Sequence, residues 1–248
     1  MIGDDLVFTV LGCSGTFAGP DGACSGYLVR SDGVTIVCDL GAGTLANLQR
    51  HVAPAEVDAV VLSHEHPDHW LDLPLLRNAL RYVLGAPERA LPVYGTEGTL
   101  ALAEDVIGEL APTLVWHTIA DGSSATIGGL RLRWSGTDHP VETMALRVDA
   151  GDRSLLYSAD TGAAWAPGEA GAGVGTFVCE ASLVPEEEGG FQHLSAAQAG
   201  ALAAEMGAGR LVLTHLVPGV DVGAQQALAA AAYGGPVDVA VTGGDYRA

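Results

Sequence analysis

The chain has 248 residues, 48% of them hydrophobic and 17% charged, with a formal net charge of −19. That length suits one large α/β domain or two small ones, and that apolar content builds a sizeable core and excludes a disordered chain. The apolar stretches are short and broken by Gly or Asp, which excludes a membrane-spanning helix, and no basic region followed by an apolar run suggests a secretory signal. All 11 basic residues are Arg. The acidic surface repels nucleic-acid backbones and anionic lipid. A small anionic substrate is less affected, because distant charge is screened beyond about 8–10 Å. Cys13, Cys24, Cys38 and Cys179 form no CxxC pair. Four thiols in a chain this long fit a reducing cytoplasm rather than a disulfide scaffold. Cys13 and Cys24 share one loop, which leaves an extra metal site there as an alternative to buried apolar thiols.

In chain order, Asp5–Leu11 reads as a strand and 12–26 as a Gly/Ser/Pro loop. Residues 27–30 and 34–38 read as a hairpin across Ser31-Asp32-Gly33. A helix over Thr44–His51 follows, with Thr44 as its N-cap. Ala59–Ser63 is the next strand. Leu71–Leu84 has helical apolar spacing, and Gly85 is placed to end it. Val93-Tyr94 is a short strand and Glu97–Leu110 a helix. Strands are predicted over 114–117, 125–127, 130–134, 144–148, 154–158 and 176–179. The Gly/Ala-rich stretch 160–175 has no clear assignment. Ser195–Met206 is a helix opened by a Ser195/Gln198 capping box. A strand at 211–214, a helix at 222–232 and a last strand at 237–241 complete the chain. No linker or repeat of short period interrupts this order, so residues 1–248 read as one domain. Two sheets packed face to face, with helices outside, satisfy the order of elements.

The most informative stretch is Ser63-His64-Glu65-His66-Pro67-Asp68-His69, which follows an apolar run. Pro67 and the crowded polar side chains exclude a helix there, so the stretch reads as a loop leaving a strand. Imidazole with carboxylate suits zinc, and also iron or manganese. His64 and His66 alternate and reach one ion. Asp68 and His69 fall beyond the proline and favour a second. His139, Asp160 and His215 each sit just past a predicted strand. If those strands run the same way, their loops meet the His64 loop at one edge, where open α/β sheets place their sites. His51 at a helix end and His117 in mid-strand lack such a context and read as structural.

His64-x-His66-x-Asp68-His69, then His139, Asp160 and His215, resembles the metallo-β-lactamase superfamily over nearly the whole chain. The resemblance implies a four-layer αβ/βα sandwich of two mixed sheets with helices outside. It implies a first ion on His64, His66 and His139, and a second on Asp68, His69 and His215. Asp160 would bridge them, and Asp39 would support the metal loop from behind. Zinc is the first choice, with Mn2+ or Fe2+ as alternatives. A bridging Asp, where true lactamases carry Cys, points to the dinuclear hydrolases. Phe177–Ser182 and His193-Leu194-Ser195 resemble paired motifs of the ribonuclease Z group, in which a Glu–His dyad assists phosphodiester cleavage; here that pair is Glu180 and His193. Val10–Gly15 is similar to the same group and to its small relatives acting on cyclic nucleotides. A simple hairpin replaces the long basic arm expected between His139 and Asp160, so tRNA is not an expected partner.

The expectation is therefore a dinuclear hydrolase of small anionic phosphodiesters such as cyclic nucleotides. Asp68 would hold one ion and accept a proton from water. Glu180 and His193 would assist at the leaving oxygen, unless they form only a surface salt bridge. A thioester or lactone hydrolase is the rival activity, and a non-catalytic metal-binding protein the rival class. The apolar Leu71–Leu84 segment is either core or the face of a homodimer.

Overall fold

The computed structural model describes residues 5–84 and 90–248. One sheet contains β1 (Val7–Gly12), β2 (Gly26–Ser31), β3 (Val34–Leu40), β4 (Ala59–Val61), β5 (Leu91–Gly95), β6 (Leu114–Thr118) and β14 (Asp245–Arg247). The other contains β7 (Ser124–Ile127), β8 (Leu130–Gly136), β9 (Met144–Ala150), β10 (Arg153–Tyr157), β11 (Thr176–Glu180), β12 (Arg210–Thr214) and β13 (Val237–Val239). Their spatial orders are β14-β1-β2-β3-β4-β5-β6 and β13-β12-β11-β10-β9-β8-β7. Each sheet is mixed, with antiparallel pairing among β14-β1-β2-β3 and β7-β8-β9-β10, and parallel pairing from β3 to β6 and from β10 to β13.

The sheets pack face to face over a core that includes Phe8, Tyr27, Leu132, Leu146, Val178 and Val212. Alternation sets the inner face of β8, where Leu130, Leu132 and Trp134 are buried while Arg131 and Arg133 are exposed. β11 is buried along its whole length, because helices cover its other face; this explains its unbroken apolar run. The helices α1 (Thr44–Leu48), α2 (Pro67–Trp70), α3 (Leu73–Asn78) and α4 (Glu97–Ile107) cover the first sheet, with Leu48, Trp70, Leu73 and Leu76 in a second apolar cluster. The short α5 (Gly168–Gly171), with α6 (Ala196–Met206) and α7 (Val222–Tyr233), lies on the second sheet, where Ala196, Ala199 and Ala229 join a third cluster. The layers are thus the αβ/βα sandwich expected from the sequence.

Several local expectations need correction. Pro67 does not exclude a helix: it occupies the first position of the one-turn α2, where a missing N–H costs nothing and the fixed φ is helical. Thr44 is not an N-cap; Gly43 holds that place with φ of 91°, and the Thr44 hydroxyl donates to the Gly41 carbonyl. Leu71–Leu84 is helical over most of its length, as expected, but α3 widens without a break into a π-helical turn over Ala79–Val83. Its inner side, Leu73, Leu76 and Leu80, is core, whereas Leu71, Leu75, Tyr82 and Val83 are exposed. Gly85, the expected stop, lies outside the described residues. β14 was not expected, and it closes the first sheet against β1. The Ser195/Gln198 capping box is present as expected.

Candidate metal centre

One edge of the sandwich gathers the chemistry. The loop after β4 carries His64 and His66, and α2 carries Asp68 and His69. Loops after β8, β10 and β12 bring His139, Asp160 and His215. Potential ligand atoms of His64, His66, His139 and Asp160 lie within 4.8 Å of one another, and so do those of Asp68, His69 and His215. The turn of α2 carries Asp68 and His69 towards His215, while the His69 ring still lies 4.1 Å from that of His64, so the two groups adjoin. Asp160 faces both. Its Oδ2 is 3.6 Å from His64 Nε2 and 3.9 Å from His139 Nε2, while its Oδ1 is 3.3 Å from His69 Nε2 and 3.4 Å from His215 Nε2.

The donor set fits a pair of divalent cations. His64 Nε2 and Asp160 Oδ1 are buried polar atoms with no hydrogen-bond partner, an arrangement that costs stability unless something else satisfies them. Ring nitrogens also converge in pairs, with His66 Nδ1 3.1 Å from His139 Nε2 and His69 Nε2 3.3 Å from His215 Nε2, where one nitrogen of each pair can accept from the other according to tautomer. Burial and the neighbouring His69 push His64 well below the usual imidazole range, which keeps its lone pair free. Burial raises the Asp160 carboxyl, but His215, His69 and His64 outweigh it and hold the group anionic. Asp68 is likewise held well below the carboxylate range, where a bond with His215 and the charge of His69 overcome burial. Neutral imidazoles and anionic carboxylates are the forms that bind zinc, manganese or iron. His69 departs from this, since burial lowers it but Asp160 and Asp39 outweigh burial and push it well above the imidazole range.

Several ligands are fixed from behind, which orients the ring and tunes its basicity. His69 Nδ1 lies 2.8 Å from Asp39 Oδ2, and Asp39 also accepts from the Ser63 amide and hydroxyl. Tyr157 reaches across from the second sheet and donates to the same Asp39 oxygen at 2.8 Å. His64 Nδ1 is 2.9 Å from the Ser63 hydroxyl, and His139 Nδ1 is 3.1 Å from the Gln192 carbonyl. Thr16, Asp39, Ala159 and His215 all adopt positive φ at or beside the centre. Non-glycine residues hold such conformations where surrounding structure enforces them, commonly at functional sites. Close approach matters too. A Cβ on Gly41 would stand 2.0 Å from the Asp68 carbonyl oxygen. Gly41→Ala is expected to destabilise the fold by about 1–3 kcal/mol and to weaken metal retention, as read by thermal melts with and without chelator.

Glu180 and His193 join this edge. His193 Nδ1 is 2.8 Å from Glu180 Oε1, and its ring lies 5.2 Å from that of His139 and 5.7 Å from that of His215. Glu180 is fully buried, so the pair is no surface salt bridge. The Thr161 amide also donates to Glu180 Oε1, at 2.7 Å, and the Ser182 hydroxyl donates to Oε2 at 2.9 Å. Burial alone would lower the His193 pKa, but the hydrogen bond and charge of Glu180 lift it to about 9. Ser182 was missed in the sequence. Its hydroxyl stands 2.8 Å from His215 Nδ1 and so ties the dyad to a ligand. Ser182→Ala is expected to cost about 10–100-fold in metal affinity or turnover, measured by competition with a chromophoric chelator and by steady-state assay.

All the sequence-derived site residues therefore meet at one edge. The cysteine alternative is not supported: among the described residues no candidate metal cluster includes a Cys, and Cys13 donates to the Ala240 carbonyl. His117 stacks on Tyr94 at 4.8 Å, away from the centre.

Comparison with known proteins agrees with this geometry. Residues 34–216 match the model of the β-lactamase superfamily domain. The chain is 39% identical to the uncharacterized protein Rv1339 of Mycobacterium tuberculosis, over 94% of this chain and 89% of that one. It is 32% identical to the probable metallo-hydrolase YhfI of Bacillus subtilis, over 84% of this chain and 86% of that one. The crystal structure of YhfI, a metallo-β-lactamase fold protein, superposes with a TM-score of 0.90 at 27% identity, covering 99% of this chain and 100% of that one. Ribonuclease Z of Mycobacterium marinum is 29% identical over 94% of this chain and 95% of its own length. With its family model, its relatives and its fold in agreement, the chain belongs to the β-lactamase superfamily and is a metallo-hydrolase.

Proposed function

We propose that the protein is a zinc-dependent phosphodiesterase acting on small phosphodiesters such as cyclic nucleotides, in the cytoplasm. The observation that carries this reading is the His193 imidazole, held by a fully buried Glu180 beside both ligand clusters. Two cations held by His64, His66, His139, Asp68, His69, His215 and the shared Asp160 would supply Lewis acidity and a water of lowered pKa. Asp68 would accept a proton from that water, a role supported by the Thr16 amide that holds its Oδ2 at 2.9 Å. His193, protonated at neutral pH through Glu180, donates to the leaving oxygen. An alkoxide leaving group needs that proton, whereas a thiolate does not. This contrast favours a phosphodiester over a thioester. The acidic surface and the absence of a basic arm disfavour tRNA.

A panel of bis-(p-nitrophenyl) phosphate, cyclic AMP, a glutathione thioester and an acyl lactone, on protein of measured metal content, tests the reading. Turnover of the two phosphodiesters at least about 100-fold above the others is expected. Preferential turnover of the thioester or lactone would overturn it. Two bound ions per chain without any turnover would make the chain a binding protein.

A further inference from the structure

A cavity of about 320 Å³ opens beside the centre, lined by Asp138, Gly162, Phe191, Gln192, His193 and Gln198 among others. It is continuous with the ligand loops, since Asp138 precedes His139, Gly162 follows Asp160 by two residues, and His193 itself forms part of the wall. Phe191 stands at its rim with 71% of its surface exposed, so its ring face is open to a planar ligand. The two residues after it are anchored, Gln192 through its carbonyl to His139 and His193 to Glu180, so the ring is held at a set distance from the centre. The capping box fixes the Gln198 side chain, whose Oε1 accepts from the Ser195 amide at 2.9 Å; its Nε2 has no partner among the described residues and can donate. Asp138 presents a carboxylate whose Oδ2 accepts from the Ala164 amide, while Oδ1 has no hydrogen-bond partner among the described residues.

We propose that this cavity is the subsite for a flat, uncharged heteroaromatic group, a nucleobase, carried by the phosphodiester. The inference rests on the phosphodiesterase reading and adds the substrate's second half. A ring that stacks on Phe191 is sequence-tolerant because every base has a π-face. A donor from Gln198 and an acceptor from Asp138 complement the mixed donor–acceptor edge of a base. The Asp138 carboxylate repels a second phosphate or a carboxylate tail, so anionic substituents are poor occupants.

The test compares AMP with ribose 5-phosphate by calorimetric titration of the zinc-loaded protein. AMP is expected to bind at least about tenfold more tightly, in line with base–aromatic stacking. Phe191→Ala should erase that preference, and Phe191→Tyr should restore it. With cyclic AMP as substrate, Phe191→Ala should raise KM rather than lower kcat. Equal binding of the two ligands, or a preference that survives Phe191→Ala, would overturn the subsite. A protein that cleaves bis-(p-nitrophenyl) phosphate but shows no base preference refutes the subsite alone. A Phe191-dependent preference in a protein that cleaves no phosphodiester refutes the reaction and leaves the subsite standing.

Discussion

Asp160→Ala is expected to remove both cations together and to lower kcat/KM by at least about 10³–10⁴-fold, which is the several kcal/mol of charge stabilisation that such ions supply. The reason is the division of labour within one carboxylate. Oδ2 faces His64 and His139, while Oδ1 faces His69 and His215. Among the described residues no other carboxylate joins both groups, so no neighbour replaces it. Elemental analysis after gel filtration should fall from about two ions per chain to less than half of that. His66→Ala touches only the His64 group and should lose one ion while retaining the other. If Asp160→Ala kept both, the carboxylate would not be shared, and the two clusters would be independent sites.

His193→Ala should separate chemistry from metal binding. Turnover of cyclic AMP, whose leaving group is an alkoxide, is expected to fall by about 10²–10³-fold, the range of general acid catalysis. Turnover of bis-(p-nitrophenyl) phosphate should fall only several-fold, because nitrophenolate leaves without a proton. Metal content should stay unchanged, since the two clusters hold seven ligands without His193, although a His193 ring nitrogen also lies within 4.8 Å of ligand atoms of Asp160 and His215. Glu180→Gln should show the same leaving-group dependence in weaker form, as it keeps a hydrogen bond to His193 but not the charge that lifts its pKa to about 9. An equal loss on both substrates, or a loss of metal, would make His193 a structural residue.

The centre was legible because each ligand follows an apolar strand, and parallel β10, β11 and β12 deliver their ends to one edge. A strand run followed by His or Asp is a pattern that local sequence carries. The supports behind the ligands are different. Ser182 and Tyr157 act through single hydroxyl groups, and Gln192 through a backbone carbonyl. No spacing rule marks such partners, since only the packing of two sheets brings Tyr157 to Asp39. Pro67 misled because its effect depends on position, being disruptive inside a helix and favourable at its first residue. β14 is three residues long and owes its strand character to pairing with β1, not to its own composition. The helix expected over 71–84 is present from Leu73 to Val83, but its widening into a π-helical turn at Ala79–Val83, with Leu80 buried and Tyr82 and Val83 exposed, is not marked by the apolar spacing.

The most direct test is anomalous diffraction at the zinc edge from a crystal of the zinc-loaded protein. Two peaks are expected, one among His64, His66, His139 and Asp160, the other among Asp68, His69, His215 and the same Asp160. Zinc found elsewhere, or a single peak that leaves either histidine group unliganded, would contradict a shared dinuclear centre.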